Sequence, residues 1–150
     1  RPRAPTNQVI VLDTTVLVYS VGSEHPLRDP CRRLLTWHGE GRIEATTTVD
    51  VIQEFAHIRS RRRSRTDAVA VARNYAAAFS LIVTTPDDLE HGLALFERHP
   101  ALGAFDAVLA AVAIERDAEA LISADQAFAS VPQLRWIDPA SPMPRGLVRD

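Results

Sequence analysis

The sequence predicts an α/β domain in which helices cover both faces of a central, mostly parallel, twisted sheet of four to five strands. Short β-rich apolar runs alternate along the chain with longer segments of helical periodicity. The first run, Val9–Leu12, is apolar throughout, which is typical of a strand buried on both faces of a parallel sheet. A length of 150 residues fits one domain with a substantial core.

The other elements follow from apolar spacing and from residues that begin or end helices. Thr48 or Asp50 is suited to cap one helix, and Pro86 suits the first turn of another. The predicted helices are Pro26–Gly41, Thr48–Arg62, Thr66–Phe79, Pro86–Arg98 and Ala104–Asp117. The predicted strands after the first are Ile43–Thr47, Leu81–Thr84, Ala120–Ser123 and Arg135–Ile137.

Composition changes only near the two ends. Residues 1–8 are polar and are predicted to be a flexible segment, residues 9–137 form the folded domain, and residues 138–150 are a proline-rich tail. No apolar stretch approaches the roughly 18–20 residues of a membrane span, so we expect no membrane association. Cys31 is the single cysteine, which excludes an intrachain disulfide and favours a cytoplasmic location.

All 17 basic residues are arginine, and the net charge is −2. Because lysine is absent, the sequence excludes Schiff-base chemistry, a lysine general base and a P-loop lysine. Five arginines crowd into seven positions: Arg59, Arg61, Arg62, Arg63 and Arg65. Such a run is either a solvated helix end or a surface that binds phosphates.

Four acidic residues stand beside apolar segments, where an isolated charge is costly. They are Asp13, Glu54, Asp106 and Asp125. A buried carboxylate is tolerated when it is paired or binds a metal. In an α/β sheet the carboxyl ends of the strands form the site, and Asp13 and Asp125 follow two predicted strands. If the four meet there, they form a cluster of hard oxygen ligands for Mg²⁺ or Mn²⁺.

Each acid also has a simpler explanation. Asp13 and Asp125 are suited to cap helices, and Asp106 lies near a helix N-terminus, where the helix dipole stabilises a carboxylate. Glu54 either faces solvent or pairs with an arginine. The arrangement of all four is more informative than any one of them.

Four segments together resemble the PIN-domain ribonucleases, and most closely the VapC-type toxins of VapBC toxin–antitoxin pairs. They are Val11–Leu17, Gln53–Phe55, Phe105–Ala111 and Leu121–Phe128. The resemblance implies that Asp13, Glu54, Asp106 and Asp125 are the metal ligands and catalytic residues. It also places supporting hydroxyl groups at Thr15 and Ser123, two residues after the first acid and two before the last.

This resemblance implies a PIN-like domain acting as an endoribonuclease toxin that uses Mg²⁺, with Mn²⁺ able to substitute. Two ions would balance four carboxylates, one activating a water molecule and the other stabilising the leaving oxygen. The implied partners are RNA, a neutralising antitoxin and a second copy of the chain, with a heterotetramer or larger assembly when the antitoxin is bound. The arginine cluster would then contact RNA or antitoxin.

Two alternatives remain at this point. A non-catalytic PIN-like module would bind RNA or protein without cleaving it, although loss of an acid would be its sequence mark and all four are present. A haloacid-dehalogenase-type phosphatase also begins with a strand ending in Asp. That family has a second Asp two residues later, where this chain has Thr15, and usually a lysine.

Overall fold

The computed structural model describes residues 9–150, so the predicted flexible segment 1–8 lies outside the described residues. The strands are β1 (Val9–Leu12), β2 (Glu44–Thr46), β3 (Ala120–Ile122) and β4 (Trp136–Ile137). The helices are α1 (Thr14–Ser20), α2 (Arg28–Gly39), α3 (Val49–Arg62), α4 (Arg65–Ala78), α5 (Pro86–Arg98) and α6 (Ala104–Glu115). A short 3₁₀ helix spans Gln126–Ser130.

The four strands form one sheet in the order β2-β1-β3-β4, and all three pairings are parallel. Successive residues of a strand point to opposite faces of its sheet. Ile10, Val11 and Leu12 are nevertheless all almost completely buried. Both faces of the central strand are therefore covered, which confirms the predicted α/β architecture.

The order of the strands creates a crevice between β1 and β3. The chain leaves β1 to form β2 on one side and later returns to form β3 on the other side. Connections that leave in opposite directions open a gap at the carboxyl ends of the two strands, which is where α/β proteins place their sites. Asp13 directly follows β1, and Ser123 directly follows β3.

The predicted strand Leu81–Thr84 is wrong. Only Ile82 pairs, in an isolated parallel bridge with Thr48, through hydrogen bonds from Ile82 N to Thr47 O and from Val49 N to Ile82 O. The sheet edge beside Ile82 is short because Thr48, its partner in the bridge, already caps α3. On the other side, Thr85 begins the capping box of α5, so the segment has no length left in which to extend.

Helices α5 and α6 pack closely because Gly92 has no side chain. A Cβ atom at this position would lie 2.6 Å from both Cα and Cγ2 of Val108. The far ends of the two helices are also joined by Arg116 and the buried Asp88, whose nearest atoms, Nη1 and Oδ1, are 2.8 Å apart. The Gly92 contact lies two residues from Asp106 and places that part of α6 against α5. Among the described helices, none is long and apolar enough to cross a membrane.

The proline-rich tail packs on the domain. Leu147 is buried in the core, and Met143 packs against it. Two hydrogen bonds join Arg42 and Arg149: Arg149 N–H donates to the carbonyl of Arg42, and Arg42 Nε donates to the carbonyl of Arg149. Residues 138–150 therefore belong to the folded unit and are not separate from it.

Candidate metal-dependent active site

Asp13 is a buried carboxylate at the centre of the crevice, with only 3% of its surface exposed. Its backbone N–H donates to the carbonyl of Ile122 at 3.0 Å, which joins the ends of β1 and β3. The residue is also the N-cap of α1, as its side chain accepts a hydrogen bond from Thr15 N. The capping role and the candidate ligand role therefore coexist in one side chain.

The two oxygens of Asp13 have different surroundings. Oδ2 accepts hydrogen bonds from Ser123 Oγ at 2.7 Å and from Thr15 Oγ1 at 2.9 Å. Oδ1 accepts none from the described residues. One oxygen is thus used to fix the orientation of the carboxylate, and the other is left for a ligand.

Backbone amides determine which way the two hydroxyl groups point. The N–H of Ala124 donates to Thr15 Oγ1, and the N–H of Asp125 donates to Ser123 Oγ, both at 3.0 Å. Because each hydroxyl oxygen already accepts an amide proton, its own proton is free to point at Asp13. The predicted positions of Thr15 and Ser123 beside the first acid agree with this arrangement, although the part played by Ala124 has no signal in the sequence.

The pKa of Asp106 reflects both its burial and the charges of the other three acids. The pKa of its carboxyl is raised to about 7, mainly by burial and then by the charges of Asp13, Asp125 and Glu54. A hydrogen bond with Asp125 also favours the protonated form. The three other predicted acids therefore all lie close enough to Asp106 to disfavour its charged form.

Glu54 and Asp125 approach the crevice from its two sides. Glu54 is half-buried in the second turn of α3 and forms no ion pair within the described residues, so the alternative of an arginine partner is wrong. Asp125 is exposed and accepts a hydrogen bond from Ala127 N at 2.9 Å, which caps the 3₁₀ helix. As with Asp13, capping leaves an oxygen available.

The donor set fits a hard divalent cation. Within residues 9–150, no three of the acids stand close enough together to hold one ion as the side chains are placed. Like charges repel one another, and a cation placed among them offsets that repulsion. The four acids are nevertheless linked electrostatically, since the pKa of Asp106 responds to all three of the others.

The arginine cluster is divided by the structure. Arg59 donates to both oxygens of Asp67, at 2.9 and 3.2 Å, and to the carbonyl of Val21. Its guanidinium therefore holds α4 and the end of α1 against α3, and the hydrogen bonds from Arg59 are the main cause that lowers the pKa of Asp67. The other four arginines are exposed. Arg62 is the member that lies in a cavity with Glu54 and Thr15.

Sequence comparison identifies the family of the chain. The family model described as PIN domain matches residues 10–134. Ribonuclease VapC7 of Mycobacterium tuberculosis is 52% identical over 135 residues, covering 87% of this chain and 92% of the relative. The chain belongs to the VapC ribonucleases of the PIN-domain family. Ribonuclease VapC23 of the same species is 32% identical over 125 residues, covering 81% of this chain and 97% of that family member.

Solved structures of the family share the fold. A VapBC2 complex from Rickettsia felis, bound to a DNA fragment from its promoter, aligns with a TM-score of 0.70 at 16% identity, over 87% of this chain and 98% of that one. VapC20 of M. tuberculosis, described as a sarcin–ricin loop cleaving toxin, aligns with a TM-score of 0.69 at 21% identity, over 84% and 98%. The predicted fold class is confirmed.

Proposed function

We propose that the chain is a Mg²⁺- or Mn²⁺-dependent endoribonuclease toxin and that Asp13, Glu54, Asp106 and Asp125 bind the metal. Family membership supports cleavage of RNA. The observation that supports the metal is the buried carboxylate of Asp13, whose Oδ2 is held by Thr15 and Ser123 while its Oδ1 accepts no hydrogen bond from the described residues. The pKa of Asp106, raised first by burial and then by repulsion from the other three acids, supports the same grouping. A divalent ion relieves that repulsion, whereas an isolated protein pays for it in stability.

Each residue has a distinct role in this proposal. Asp13 presents Oδ1 to the metal, while Thr15 and Ser123 hold Oδ2 and act as positioning residues. Asp106 supplies a second carboxylate that loses its proton when a cation binds. Glu54 and Asp125 complete the set from the two sides of the crevice. When bound, the metal supplies Lewis-acid chemistry that activates water and offsets the charge of the phosphodiester.

The direct test is cleavage of total bacterial RNA with Mg²⁺, with Mn²⁺ and with EDTA. We expect cleavage only with a metal, and a loss of at least about 100-fold in Asp13→Asn and Asp106→Asn. Asp87→Asn is the matched control, because Asp87 is an exposed acid in the first turn of α5, away from the crevice. Cleavage that survives EDTA and both substitutions would overturn the proposal.

A metal-binding experiment separates the enzyme from a non-catalytic module. Such a module would bind RNA but show no Mn²⁺ site that depends on the carboxylates. Titration calorimetry with Mn²⁺ on the wild type and on Asp13→Asn measures this directly. A wild type without such a site would favour the module.

We also propose that a cognate antitoxin neutralises the chain, and that it acts in the cytoplasm as a homodimer that forms a heterotetramer or larger complex with the antitoxin. Structures similar in fold include a toxin–antitoxin complex from Klebsiella pneumoniae and a DNA-bound VapBC from Salmonella typhimurium. Light scattering of the chain alone and with its antitoxin tests the assembly. A monomer in both samples would contradict it.

A further inference from the structure

The cavity next to the acidic crevice has a chemistry that metal binding does not use. Its volume is about 180 Å³. Its walls are formed by Thr14, Thr15, Val18, Tyr19, Glu54, Ile58 and Arg62. A second cavity of about 320 Å³ shares Val18 and Arg62 with the first and continues toward Arg63. The two cavities therefore adjoin at Val18 and Arg62, and together they extend from Glu54 to the arginine cluster.

Arg62 lines both cavities, and its guanidinium has no partner among the described residues. In the part of the chain that the structure describes, its guanidinium forms no hydrogen bond and no ion pair. Glu54, Ile58 and Arg62 are spaced four residues apart and lie on one face of α3, so Glu54 and Arg62 are separated by about 12 Å of helix. The two side chains line the same cavity but form no ion pair within the described residues, so the guanidinium is left for the phosphates of a polynucleotide that enters the site.

Two further residues line the cavity. The Thr14 side chain is buried, with 2% exposed, and its Oγ1 has no hydrogen-bond partner in the described structure. Tyr19 contributes an aromatic ring, one face of which stacks on His25 with ring centroids 4.5 Å apart. An arginine and an aromatic ring are groups with which proteins bind single-stranded RNA.

We propose that this cavity is a subsite for an RNA nucleotide that neighbours the cleaved bond, in which Arg62 binds a backbone phosphate. The proposal rests on the ribonuclease function above. It assigns different roles within one run of arginines: Arg59 is structural, and Arg62 is a substrate-positioning residue. Arg61 is exposed on the same helix turn but lines neither cavity, so a simple effect of charge at the helix end would apply to both residues equally.

The test compares Arg62→Gln with the matched control Arg61→Gln, using fluorescein-labelled single-stranded RNA oligonucleotides of several sequences in EDTA. Because a phosphate contact is independent of sequence, we expect Arg62→Gln to weaken binding of all the oligonucleotides about tenfold. The slope of log K against log salt should fall by about 0.7 for a lost single-strand phosphate contact. Arg61→Gln should change neither by more than about twofold, and Arg62→Lys should keep most of the slope.

Cleavage and metal binding are measured in parallel. Arg62→Gln should raise KM with little change in kcat, and its Mn²⁺ affinity should equal that of the wild type. Equal effects of Arg61→Gln and Arg62→Gln would overturn the subsite. So would a variant that binds RNA normally and loses only antitoxin affinity. A wild type that cuts no RNA would instead refute the ribonuclease function, and the binding data would still judge Arg62 separately.

Discussion

Ser123 Oγ donates a hydrogen bond of 2.7 Å to Asp13 Oδ2, across 110 residues of sequence. Ser123 is fully buried and Asp13 almost so. The bond joins the carboxyl ends of β1 and β3, the two strands on either side of the crevice. It follows that the orientation of the first metal ligand depends on the pairing of these strands.

Ser123→Ala is expected to reduce activity without removing any ligand. Loss of the hydroxyl leaves Asp13 Oδ2 with Thr15 alone and removes the acceptor of Asp125 N–H. Partners of metal ligands are typically worth about 10- to 100-fold in metal affinity or activity. Calorimetry with Mn²⁺ checks this, and Ser123→Thr, which keeps a hydroxyl, should restore most of the affinity. Unchanged Mn²⁺ affinity in Ser123→Ala would contradict the positioning role.

Asp106→Asn should make the metal-free protein more stable while abolishing cleavage. The folded pKa of about 7 lies above the ordinary value of 3.8, so the folded state holds this proton more tightly than the unfolded state. The stability of the metal-free wild type therefore decreases as the pH rises from about 4 to about 7, and the variant escapes this loss. Melting in EDTA at pH 4 and pH 8 checks it. Only at pH 8 should the variant melt higher, and added Mg²⁺ should stabilise the wild type alone.

Asp88→Asn should destabilise the domain without affecting the site. The Asp88 carboxylate is buried and binds the Arg116 guanidinium and Thr85 N–H, and the Arg116 hydrogen bonds are the main cause that lowers its pKa to about 2. Because Arg116 is about one-third exposed, solvent screening reduces the benefit to about 1–2 kcal/mol. The contribution is complete above about pH 4 and disappears as the pH falls through 2. Urea unfolding at pH 7 and pH 2 tests this, because the variant should be less stable than the wild type at pH 7 and the difference should shrink at pH 2. The kcat of the variant should be unchanged.

Gly92→Ala should destabilise the domain strongly, since the new Cβ would meet the backbone of Val108 at 2.6 Å. Overpacking of this kind typically costs about 1–3 kcal/mol. The displaced α6 carries Asp106 two residues from the contact, so activity should decrease as well. Gly39→Ala is the matched control, because nothing lies within 4 Å of the atom it adds. Equal melting temperatures for the two variants would contradict the close approach of α5 and α6.

Predictions from the sequence succeeded where local pattern determines structure. The apolar run of β1, Thr48 as a possible helix cap and Pro86 in a first helical turn have signals within a few positions, and the structure agrees with them. The short helix α1 was not predicted, although Asp13 had been recognised as a possible cap. Leu81–Thr84 has strand composition, but the available sheet edge ends after one bridge, and only the tertiary structure sets that limit.

The arginine cluster shows a different limit. Arg59 and Arg62 are identical in type and three positions apart, so no composition rule separates them. What distinguishes them is the packing of α3 on α4, which brings Asp67 to Arg59, and of α1 on α3, which places Arg62 in the cavity wall. The four acids, in contrast, have a signal in the sequence, because a costly charge beside an apolar run requires an explanation wherever it occurs.

The hydrogen bond between Asp13 and Ser123 can form only after both residues have been synthesised. A ribosome adds about 5–20 residues per second, so the 110 residues between these positions take on the order of 6–20 s to translate. During that interval the nascent chain already carries its first acid but lacks the strand that orients it. The nascent chain therefore emerges beside ribosomal and messenger RNA as an incomplete catalyst, and it becomes competent only after its last strands are made.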